Sequence, residues 1–141
     1  MKQIGLLIAL TTALAGCGSE RISEAISEQL DATQAVDMRT AAPGEWDRVC
    51  VLGPYSGDQV ARDTLGFSWP AESRSSIHES DSISLLLFTR REQVAHAVEH
   101  PRDKGDFSAL SGRCFLPEQA QFVRSAQATE GWPEMVPRNG A

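Results

Sequence analysis

Apolar positions fall into a few separated runs, and their spacing predicts most of the elements. Ile4 to Leu14 is nearly unbroken, interrupted only by Gly5, Thr11 and Thr12. Ile22, Ile26 and Leu30 recur at i, i+4 and i+8, one stripe of a helix, with Glu20, Glu24, Glu28 and Asp31 on its other faces. So narrow a stripe makes a helix that is marginal alone. Residues 17–44, closed by Pro43-Gly44, are therefore expected as a stalk or helix. That segment docks on the domain, pairs with another protein or serves as a tether, and docking is the reading preferred.

The globular domain is expected over residues 45–124. Val49 to Leu52 is short, apolar, rich in β-branched residues and bounded by Gly53-Pro54, the pattern of a buried strand. Asp58 to Leu65 suits a short helix with Val60, Ala61, Thr64 and Leu65 inward, Ser56 or Asp58 as cap and Gly66 as stop. Residues 71–82 are polar and predict a loop. Ile83 to Thr89 is a second strand, Arg90-Arg91-Glu92 a hairpin turn and Gln93 to Glu99 its partner strand. Phe107 and Leu110 anchor the charged loop 101–106. Arg113 to Leu116 and Ala120 to Arg124 complete a small antiparallel sheet of about four strands with one or two helices, an α+β fold. Residues 125–141, with Gly131, Pro133, Pro137 and Gly140, are expected to be a disordered tail.

The 141 residues suit one domain, and the formal charge of −6 argues against nucleic acid as partner. The first seventeen residues change the picture further. Lys2 followed by the apolar run is the layout of a secretory signal. Leu14-Ala15-Gly16-Cys17 resembles the lipobox of bacterial lipoproteins. That resemblance implies a cleaved lipoprotein signal peptide over 1–16, with diacylglycerol and acyl groups on Cys17. No other cofactor is expected. It also implies a membrane-anchored, periplasm-facing protein, with Gly18-Ser19 favouring the outer membrane over the inner one in a Gram-negative cell. Removing Lys2 leaves a mature charge of −7 and Lys104 as the one remaining lysine.

Cys17, Cys50 and Cys114 make an odd number of cysteines. With Cys17 taken by lipid, Cys50 and Cys114 remain as a pair in an oxidising compartment, and a disulfide between them is expected. The alternative is two separate buried thiols.

Candidate chemistry is sparse. His96-Ala97-Val98-Glu99-His100 matches the His-x-x-Glu-His pattern of inverted zinc proteases, where a helix puts both histidines on one metal. A strand here would hold His96 and His100 on one face about 13 Å apart, too far to share an ion, so they are weak metal candidates. His78-Glu79-Ser80-Asp81, near Ser75 and Ser76, lacks a Gly-x-Ser-x-Gly elbow and suits a solvated loop. Gly53 to Asp58 is a turn with a cap. Trp46, Tyr55, Phe67, Trp69 and Phe88 are expected in the core. No catalytic residue is assigned, and an enzyme is not expected.

The function expected is therefore a lipid-anchored interaction module for an envelope protein. His78, Glu79 and Asp81 on one loop, and Arg102, Lys104 and Asp106 on another, are its candidate contact residues. The alternatives are a periplasmic inhibitor or immunity protein against a toxin or hydrolase, steered by its negative charge, and a small metal-dependent hydrolase.

Overall fold

The apolar runs Val49 to Leu52 and Leu85 to Phe88 have no polar alternation because both of their faces are covered. A computed structural model describes residues 17–127 and 131–139. Strands β2 (Arg48–Leu52) and β3 (Ile83–Arg90) lie in the middle of a four-stranded antiparallel sheet. Its order is β4 (Gln93–Pro101), β3, β2, β5 (Cys114–Phe115). Val49, Val51, Leu86, Phe88, Val98 and Phe115 point to one side of it, and Cys50, Leu52, Leu85 and Leu87 to the other. This is the two-residue alternation of a pleated strand, with an apolar core on each face.

The first core is closed by α1 (Cys17–Thr33), whose Ile22, Ile26 and Leu30 are 2%, 0% and 0% exposed. It is completed by a second sheet, order β1 (Ala35–Asp37), β6 (Gln121–Arg124), β7 (Met135–Pro137), and by the four-residue helix α2 (Met38–Ala41). Phe107, Phe115 and Phe122 meet edge to face at 5.4 and 5.0 Å around Phe122. The second core lies under α3 (Asp58–Leu65), α4 (Ala71–Arg74) and the single turn at Ile77. The fold is α+β, with two antiparallel sheets where the sequence indicated one.

Two boundaries expected from the sequence are corrected. Residues 17–44 are not a separate stalk: α1 lies in the first core and β1 pairs with β6, so no domain begins at residue 45. Residues 125–141 are not uniformly a disordered tail. Met135 is fully buried and β7 pairs with β6 over Phe122↔Pro137, Val123↔Val136 and Arg124↔Met135. A helix too weak to stand alone becomes stable once its narrow stripe meets a ready-made apolar sheet face. Residues 1–16, expected as a signal peptide ending in Leu14-Ala15-Gly16, lie outside the described residues.

Local signals place the rest. Gly66 closes α3 in the left-handed conformation, φ 80°, its N–H bonded to the Arg62 carbonyl. The cap is not the one expected. Asp58 N–H donates to Glu72 Oε1 at 3.3 Å and Glu72 N–H to Asp58 Oδ1 at 2.9 Å, so α3 and α4 cap each other. Val60 points outward at 41% exposure. Gly105, at φ 137°, leaves room for α1: a Cβ there would stand 2.7 Å from Leu30 Cδ1.

Candidate functional site

The His-x-x-Glu-His string lies on β4, and the strand separates its members. Glu99 is on the opposite face from both histidines, and its Oε1 accepts from Ser76 N–H and Oγ at 2.6 and 2.8 Å. His96 packs edge to face on Phe88. His100 is fully buried; its Nδ1 lies 2.8 Å from Ser23 Oγ of α1 and its Nε2 3.3 Å from the Lys104 carbonyl. A carbonyl only accepts, so Nε2 carries the proton and Nδ1 receives the Ser23 hydroxyl. No group of three or more His, Cys, Asp or Glu among the described residues could hold a metal ion. His96 and His100 are packing and fastening residues.

Burial, offset only in part by the Lys104 carbonyl bond, pushes the His100 imidazole down from 6.5 to about 4. The unfolded chain takes its proton near 6.5, the folded one only near 4. Between those values acid favours the unfolded chain, so the His100 contribution falls as pH drops through this window and levels off below it. The loss is expected to be on the order of 3 kcal/mol by pH 4. Urea unfolding from pH 7 to 4 checks this, and the slope should vanish in His100→Gln.

The two candidate loops divide in use. Arg102 and Asp106 form a two-bond pair, Nε to Oδ1 and Nη2 to Oδ2, both 3.0 Å. Arg102 also donates to the Asp81 carbonyl at 2.6 Å and to Ser108 Oγ at 3.2 Å, and lies 4.2 Å over the Trp132 ring. Burial alone would raise the Asp106 carboxyl; Arg102 and Ser108 more than offset it and hold it below its ordinary value. These two residues clasp the fold together, each charge paired with the other. Lys104 lends its carbonyl to His100, and its side chain is exposed.

The other loop belongs to an exposed surface. His78 Nε2 is 3.4 Å from Glu79 Oε1, and Asp81 is exposed. The His78 Nδ1 is shielded from solvent and has no hydrogen-bond partner. Beside this turn stands Tyr55, whose N–H donates to the Ile77 carbonyl at 2.8 Å. Tyr55 was expected in the core, but it is 65% exposed and has φ 64°. A left-handed bulky residue costs on the order of 1 kcal/mol and is found where the surroundings over-determine it. They do so here: Gly53 N–H donates to Ser111 Oγ at 2.8 Å, and Ser56 Oγ to the Gly53 carbonyl at 2.6 Å. The result is a hydrogen-bonded turn holding one outward aromatic. A turn sequence, Gly-Pro-Tyr-Ser-Gly, was the available signal; composition alone assigned the ring to the core.

Cys50 faces Cys114 across β2 and β5, and their sulfurs are 2.02 Å apart, at disulfide distance. No family model, curated protein or solved structure matches this chain.

Proposed function

We propose that this chain is a small lipid-anchored envelope lipoprotein whose folded part is a protein-binding module with no catalytic role of its own. The lipobox ending at Cys17 supports the anchor, facing the periplasm from a membrane, the outer one in a Gram-negative cell. The observation that carries the binding role is Tyr55. Its ring is mostly exposed on a turn whose left-handed backbone is held in place by hydrogen bonds. Rigid exposed tyrosines supply contact area at low entropic cost, and hot spots are enriched in them.

The test uses the protein in its own membranes. A photo-reactive residue at position 55 is expected to give one discrete adduct, and one at Glu92 of the β3–β4 turn none. Tyr55→Ala should then weaken binding to the protein so identified at least tenfold. Tyr55→Gly should leave stability within about 1 kcal/mol, since relief at positive φ offsets the greater freedom of unfolded glycine. Unchanged affinity in Tyr55→Ala overturns the assignment. The formal charge of −6 favours a basic partner, so an inhibitor or immunity protein is the second reading. A tight one-to-one complex with a basic toxin or hydrolase distinguishes it.

A further inference from the structure

We infer that the domain is seated directly on the bilayer without a stalk, the start of α1 and the adjoining ends of α4 and β4 facing the lipid headgroups. The inference rests on the lipoprotein reading of Cys17. In that reading the acyl-bearing residue is also the first residue of α1. Ile22, 2% exposed, is the first fully packed side chain of the helix. Five helical residues span about 7.5 Å. A flexible tether as long as segment 17–44 would span roughly 30 Å. The two arrangements therefore differ about fourfold in the separation of anchor and core.

The helix cannot be let out as a tether without breaking the fold. Ser23 bonds the buried His100, Leu30 fills the space above Gly105, and Gln29 Oε1 accepts from the Asp37 N–H at 3.0 Å. Its first turns share a groove of about 510 Å³ with neighbours from α4 and β4. Ser19, Glu20 and Glu24 line it on one side and Arg74 and Glu99 on the other. This is the face nearest the anchor. Its excess of carboxylates gains nothing from an anionic surface, so the apposition comes from the short covalent link and not from charge.

The same placement brings the Tyr55 turn close to the membrane. Glu99 lines the groove and also holds Ser76, and the next residue, Ile77, accepts from Tyr55 N–H. A domain of this size has a radius of gyration of about 14 Å. The Tyr55 turn therefore lies within about one domain width of the membrane surface.

The experiment uses the acylated protein in phosphatidylcholine vesicles containing a nitroxide-headgroup lipid. A fluorophore is carried by an unnatural residue at position 74, in the natural chain and in one with 28 Gly/Ser residues inserted after Gly18. Quenching at position 74 is expected to be strong in the natural chain and at least threefold weaker with the insert. Equal quenching in the two overturns the stalkless seating and leaves the anchor standing. An intact mass without the diacylglyceryl addition on Cys17, or no vesicle binding by either chain, overturns the lipoprotein reading itself.

Discussion

Replacing both Cys50 and Cys114 with alanine is expected to lower the unfolding free energy by roughly 4 kcal/mol. The two cysteines are 64 residues apart in the chain, so their bond closes a loop holding nearly half of it. Cross-linking so long a loop removes many conformations from the unfolded chain, and the native state then loses less on folding. The site is already suited to the bond: β2 and β5 set the two residues directly opposite, with Cys50 fully buried in the second core. The double variant should thus keep its sheet register and lose stability through the unfolded state. Urea unfolding of the oxidised protein and of Cys50→Ala/Cys114→Ala measures the difference. A gap below 1 kcal/mol would mean that the cysteines only pack.

Arg102→Ala is expected to cost about 3 kcal/mol, the lower end for breaking a partly buried ion pair. It leaves the Asp106 carboxylate, 8% exposed, without its two-bond partner, and frees the Asp81 carbonyl and the face of Trp132. The damage should spread in one direction. Asp106 N–H donates to the Pro133 carbonyl, and its own carbonyl accepts from Met135 N–H. That exchange ties the C-terminal segment to the clasp, beside the pairing of β7 with β6. Amide hydrogen exchange should therefore show Met135 and Ser125 losing protection before the β2–β3 pairing does. Arg102→Lys should recover little, because an ammonium cannot present two parallel donors to one carboxylate while stacking on an indole. Full stability in Arg102→Lys would show that charge alone suffices there.

Acid should weaken the fold in two stages. His100 acts from pH 6.5 down to about 4. Asp106, held below its ordinary value, then loses its contribution as it takes up a proton at lower pH. Both shifts have the same sign, so no compensating rise is expected on the acid side.

Much of the fold was legible in residue order. β2, β3 and α3 carry strong local signals: an apolar run bounded by Gly-Pro, a second such run, and a glycine stop. The β3–β4 hairpin was legible from its short charged turn, and the odd cysteine count pointed to Cys50 and Cys114. The candidate site was less so. Tyr55 and Val60 are apolar by composition and exposed in fact, and Arg102 and Asp106 are charged by composition and clasped inside. Composition ranks a residue by its usual surroundings. Which surroundings it meets depends on residues far along the chain.

The division between the two sources follows the range of the physics. Period and turn chemistry are local: each is set by a few neighbouring residues, and each can be read before anything is packed. The rest is contact between distant segments. The stripe of α1 is too weak to commit the helix alone, and only the apolar face of β2, β3 and β4 places it in the core. β1 and β7 are three residues each, too short to signal themselves, and exist because each pairs with β6. The rigid turn under Tyr55 needs Ser111 and Ile77 from other parts of the chain. Local order therefore sufficed for the longer elements, while burial and pairing across the chain decided which faces are spent on folding and which stay exposed.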